Sequence, residues 1–218
     1  MNPVEILRRR LRDILGISER RQRQATRVMQ LSLVGFLFVG LDRGDPGIVV
    51  NTVVALAVTE LPAVLERDQR LSMDPALVLW LTTAVFLHAV GTLGPYQDVW
   101  WWDHVTHVVS SSIVAGAGYA TARAVESHTD EIVLPPRFLF AFLVVLVLAF
   151  GVLWEVLEFG IGTAAAGLGS EAVLTQYGLE DTMLDLVFDA AGGLIVASWG
   201  TAYLSGMVTA LADRLAES

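Results

Sequence analysis

The sequence predicts an all-α protein, a polytopic membrane helix bundle of about six transmembrane helices preceded by a cytoplasmic amphipathic helix. Three observations predict it. Of 218 residues, 54% are hydrophobic and 17% are charged, against about 25% charged in an ordinary soluble domain. Residues 76–97 and 138–154 contain no Asp, Glu, Lys or Arg, and a compact soluble fold of this size has too little interior to hide such stretches. Turn-forming clusters also punctuate the chain at intervals that suit helices crossing a bilayer.

Residues 3–27 carry eight arginines, with Leu7, Leu11, Ile14 and Leu15 spaced as one helical stripe. That pattern predicts an amphipathic helix over about residues 1–25, lying on anionic lipid headgroups. Arg9-Arg10 lies too far from the first apolar run for a twin-arginine signal, and no small-residue cleavage site follows Leu41, so a cleaved signal peptide is not expected. Transmembrane spans are expected at 26–41, 48–65, 76–94, 104–124, 137–160 and 183–207 within a membrane domain of 26–210, with a tail at 211–218. Most approach the roughly 20 residues needed to cross about 30 Å of hydrocarbon. The intervening breakers are Asp42 to Gly47, Asp74-Pro75, Gly94-Pro95, Pro135-Pro136 and Gly167 to Gly178.

All fourteen basic residues are Arg. Six spans gather thirteen of them on one side and leave Arg43 alone on the other. The positive-inside rule then places both termini in the cytoplasm of a cell-membrane protein. Trp100-Trp101-Trp102 falls where an outer aromatic belt would sit. A net charge of −9 argues against nucleic-acid binding, and the absence of Cys excludes disulfides, thiolate metal sites and Cys nucleophiles. Small residues at helical spacing, Ser111 with Ala115, Ser112 with Gly116, and Gly192-Gly193, suit close helix packing.

Polar residues interrupt the apolar background in three places. Span four opens with Asp103, His104 and His107; span five ends with Glu155 and Glu158; span six opens with Asp181 and continues to Asp185 and Asp189. The six-span topology brings these groups, with His88, to one layer beneath the outer face. Each charge near mid-bilayer costs roughly 2.5–3.5 kcal/mol on insertion scales, and no Arg in that layer can neutralise them. That leaves metal, water or protons to compensate them; on the first of these, Asp103, His107, Glu155, Glu158, Asp181, Asp185 and Asp189 are candidate ligands for a divalent metal such as Zn, Mn, Fe or Mg. His104 and Glu155 are candidates for proton transfer. Structural roles compete with these. Asp103 can cap its helix, Thr182 with Asp185 fits a capping box, Asp181 favours a helix N-terminus, His107 can be a packing residue and Glu158 an interfacial one. Glu60, on the cytoplasmic half of span two, belongs elsewhere.

The order Asp103-x-x-x-His107, Glu155-x-x-Glu158 and Asp181-Thr182-x-x-Asp185, with Asp189 and Gly192-Gly193, resembles the YjdF-like inner-membrane proteins and, more distantly, the VanZ-like proteins linked to glycopeptide resistance. The likeness covers about residues 98–195. His104 stands where those families usually have Lys, which removes a fixed positive charge. The resemblance implies a membrane protein and supplies no substrate. Three function classes follow: a metal-dependent enzyme acting on a lipid or lipid-linked envelope precursor from the outer side, a proton- or cation-coupled transporter or channel, and a structural or assembly protein.

Overall fold

The computed structural model describes residues 18–69, 73–128, 131–204, 208–209 and 211–212. Its named helices are α1 (Glu19–Arg43), α2 (Pro46–Gln69), α3 (Pro75–Gly91), α4 (Pro95–Asp98), α5 (Trp102–His128), α6 (Pro136–Leu168) and α7 (Leu179–Tyr203). Each of the six expected spans lies mostly within one long helix, and α4 is a single turn inside the Gly94-Pro95 breaker. By length and apolarity alone, α1, α2 and α6 can cross a membrane, and α3 is a shorter apolar helix. The polar residues at the starts of α5 and α7 dilute the apolarity of those two.

Local chemistry sets the helix ends. The Ser18 hydroxyl accepts the Arg21 amide to cap α1, and Gly44, at φ 64°, ends it with a left-handed turn. Asp74 caps α3 through the Ala76 amide, with Pro75 at the first helical position. Residues 19–25 are the first turns of α1 and run unbroken into the first span, while residues 1–17 of the expected amphipathic helix lie outside the described residues. So do residues 213–218 of the expected tail.

The helices form two groups of three. In the first, α1, α2 and α3 pack on one another; in the second, α5, α6 and α7 do. Backbone packing joins the groups through α3 and α5, with α4 beside both, whereas the backbones of α2 and α6 stay apart. Leu33, Ala55 and Ala89 form the core of the first group. Ala115, Tyr119, Leu139, Leu143, Val147, Val196 and Leu204 form that of the second.

Small residues allow the closest approaches, as their spacing predicts. A Cβ on Gly192 of α7 would meet the Ser111 hydroxyl and the Val108 carbonyl of α5, and one on Gly193 would lie 3.2 Å from Val147 of α6. The Ser111 hydroxyl is spent on its own helix, donating to the His107 carbonyl at 2.6 Å, so the α5–α7 seam rests on shape. At the far end of α5, Arg123 pairs with Glu126. The other Glu126 oxygen accepts the Leu134 amide at 2.8 Å, which fastens the turn into α6.

Gly192→Ala is expected to lower stability by about 1–3 kcal/mol, because the new methyl presses on backbone. Gly160→Ala, where a Cβ meets nothing within 4 Å, should be neutral or slightly stabilising. Thermal unfolding in detergent checks the pair.

Candidate metal centre and cavity

Helix direction brings the polar residues together. The ends of α1, α3 and α6 and the starts of α2, α5 and α7 share one end of the bundle, closed by the 169–178 connector. His107, one turn into α5, is the hub. Its Nδ1 lies 3.1 Å from Asp189 Oδ1. Its Nε2 lies 3.7 Å from Asp103 Oδ1 and 3.7 Å from Asp185 Oδ1. A ring whose Nδ1–H donates to Asp189 presents a bare Nε2 lone pair to the other two carboxylates, an arrangement that also orients metal-binding imidazoles.

Three observations fit a divalent cation. One donor atom each from Asp103, His107 and Asp185 lies within 4.8 Å of the others. Two ligands about 2.1 Å from a shared ion stand at most about 4.2 Å apart, so the two 3.7 Å separations suit a common ion. Asp185 is only 2% exposed, and its Oδ1, the atom facing His107, has no hydrogen-bond partner. A buried carboxylate oxygen left that way costs the full desolvation of its charge unless a cation meets it or the group takes up a proton.

The remaining candidates divide around this hub. Asp189, 5% exposed, sits on the ring's other nitrogen, where it orients the imidazole. Gly151 of α6 makes room for it, since a Cβ there would collide with Asp189 Oδ2. Glu155 is buried one turn further along; it accepts the Thr182 hydroxyl at 2.6 Å, and its other oxygen has no hydrogen-bond partner. Glu158 and Asp181 face the cavity beside the hub. His104 points elsewhere, stacked on Phe188 with ring centroids 4.3 Å apart.

Two structural expectations are corrected. The Thr182–Asp185 capping box does not form: α7 begins at Leu179, so Thr182 is inside the first turns, and its hydroxyl serves Glu155 and Gln176. Asp103 likewise follows Trp102 into α5, and the hydrogen bond to its carboxylate comes from the Thr106 hydroxyl at 3.4 Å. Asp181 does serve a helix start, accepting the Tyr177 amide at 3.3 Å.

The hub opens on a cavity of about 790 Å³ between the two helix groups. Its lining includes six acids (Asp45, Asp103, Glu158, Glu171, Asp181 and Asp189) and, among the described residues, no Arg. It also reaches deep. Val58 and Val114 each lie twelve residues into their helices, about 18 Å at 1.5 Å per residue. Val54 of α2 and Phe150 of α6 line it while 55% and 51% exposed, so the slot between these two helices opens sideways. Burial, followed by the charges of Asp103, Asp181 and Glu158, pushes the Tyr177 phenol above its ordinary pKa and keeps it a proton donor.

A second polar network was not legible in the sequence beyond a lone His88. The Asn51 side-chain NH2 donates to the Gly47 carbonyl at 2.9 Å and the Val173 carbonyl at 2.6 Å. Its Oδ1 must then accept from His88 Nε2, 3.1 Å away, which leaves His88 Nδ1 to accept the Tyr96 hydroxyl at 2.7 Å. Asn51 thus ties the 169–178 connector to α2 and α3. An amide within an apolar span was the only available signal.

An all-helical bundle with apolar helices and buried carboxylates gathered at one end is the architecture of a multi-pass membrane protein. The model of the family described as "Predicted membrane protein (DUF2238)" matches residues 25–206, and the chain belongs to that family. The YjdF-like resemblance is consistent with it; no match carries the more distant VanZ-like one. An uncharacterized protein of Thermotoga maritima is 34% identical over 133 residues, 60% of this chain and 65% of the relative. The chain therefore spans just under two thirds of that relative's length. No solved structure matches.

Asn51→Ala strands the His88 N–H and the Val173 carbonyl. It is expected to cost about 1–3 kcal/mol per unpaired group and to speed proteolysis within residues 170–178. Timed digestion with mapped cleavage sites checks this.

Proposed function

We propose that this protein is a membrane-embedded, divalent-metal-dependent enzyme acting on a lipid or lipid-linked substrate at the outer leaflet. The observation that carries the reading is the unpartnered, buried Asp185 oxygen facing His107 Nε2 beside a cavity that opens sideways. Asp103, His107 and Asp185 would hold the ion and Asp189 would orient the imidazole. One nitrogen and two carboxylates suit Mn²⁺, Fe²⁺ or Zn²⁺ better than Mg²⁺. Bound there, the metal would polarise a substrate oxygen.

The chain's own groups would do the rest. Glu158, which faces the cavity, is better placed to move a proton than Glu155, engaged by Thr182, or His104, stacked on Phe188. The slot between α2 and α6 would admit a substrate without its leaving the bilayer. A transporter would call for broken helices or a second gate, whereas α6 runs unbroken for 33 residues. A purely structural polar layer leaves the deep cavity without a purpose. The arginine distribution favours an outward-facing site.

Elemental analysis of protein purified from cells supplied with Zn, Mn and Fe should give about one divalent ion per chain. Asp185→Asn and His107→Ala should abolish it, and Asp189→Asn should weaken binding about 10–100-fold. With chelator present, Asp185→Asn should unfold at a higher temperature than the parent, since it removes an uncompensated buried charge. Metal-free parent protein would refute the reading. For orientation, Asp98→Cys in this Cys-free chain should react with an impermeant maleimide in intact cells, and Arg67→Cys only after lysis; the reverse pattern would place the site inside.

A further inference from the structure

We propose that the cavity binds an amphiphile whose head carries a protonated or quaternary ammonium and whose hydrocarbon tail lies in the slot between α2 and α6. The inference rests on the enzyme reading above and narrows its substrate class.

The head is identified by charge complementarity. A divalent ion at Asp103, His107 and Asp185 compensates two negative charges. Asp45, Glu158, Glu171 and Asp181 still line the cavity with no Arg among its walls. An anionic head facing them would be repelled, and a cationic one drawn in. The aromatic lining adds a second kind of recognition. Tyr96, Trp154 and Tyr177 are wall residues, and ring faces beside carboxylates form the surroundings that hold ammonium groups.

The tail is identified by the deeper walls. Below the acids the lining turns to Val54, Val58, Val85, Val114 and Val147. Both flanking helices, α2 and α6, are apolar and long enough to cross a membrane, and they do not pack on each other. A single chain of about eight to twelve methylenes, at roughly 1.3 Å each, would span about 10–16 Å, within the roughly 18 Å that separates the helix starts from Val58 and Val114. Burying it removes apolar surface from water and from polar headgroups.

The test uses metal-loaded full-length protein in maltoside detergent, with octyltrimethylammonium, octyl phosphate, octanol and tetramethylammonium as probes in titration calorimetry. Octyltrimethylammonium should bind at least tenfold more tightly than each of the others. Glu158→Gln and Asp181→Asn should each weaken it about tenfold with metal content unchanged. Glu171→Gln, in the connector, supplies the same comparison if either variant fails to fold. Val58→Phe, which fills the slot, should weaken octyltrimethylammonium but not tetramethylammonium. Octyl phosphate binding as tightly, octanol binding as tightly, or no response to the acid variants would overturn the proposal while leaving the metal centre standing. Metal-free protein that still prefers the ammonium probe would instead refute the enzyme reading alone.

Discussion

A single imidazole surrounded by carboxylates, inside helices that carry no nearby arginine, is the constraint on which this structure depends. Taking one carboxylate out of water costs several kcal/mol even after relaxation. Asp185, Asp189 and Glu155 are each at most 5% exposed. Asp189 is answered by His107 Nδ1 and half of Glu155 by Thr182. Asp185 Oδ1 has no hydrogen-bond partner and faces His107 Nε2 at 3.7 Å, so the electrostatics at this end of the bundle turn on what meets that oxygen.

The packing explains how such a site is held. Glycines let α7 press on α5 and α6, which fixes His107, Asp185 and Asp189 on helices that cannot easily slide. The first helix group meets α6 through the His88 ring against that of Trp154, centroids 5.8 Å apart, without backbone packing on α6 or α7. It is joined to the second by α3 against α5, by α4 and by the Asn51 tether to the 169–178 connector. Closely packed helices on one side and a less tightly joined wall on the other leave a polar centre beside an open apolar slot.

Charge is also sorted along the chain. Among the described residues, every Arg except Arg43 lies away from the site end, while six acids line the cavity. No phosphate clamp of the arginine or lysine kind lines this cavity among the described residues.

Hydropathy and helix breakers determined the six long helices without any structure, because the length of an apolar run and the residues that end it are local properties. The acid and histidine layer was legible for the same reason, since a charge inside such a run must find compensation wherever the helix packs. Which groups meet was not local. Whether Asp189 touches His107 by Nδ1, whether Thr182 caps a helix or serves Glu155, and whether His104 joins the centre or stacks on Phe188 all depend on helix rotation. Rotation is set by how Gly151, Gly192 and Gly193 seat against their neighbours, tens of residues away in the chain. Tertiary packing alone decided the cavity, the Asn51 tether and the gap between α2 and α6, because each depends on how the two helix groups sit against one another.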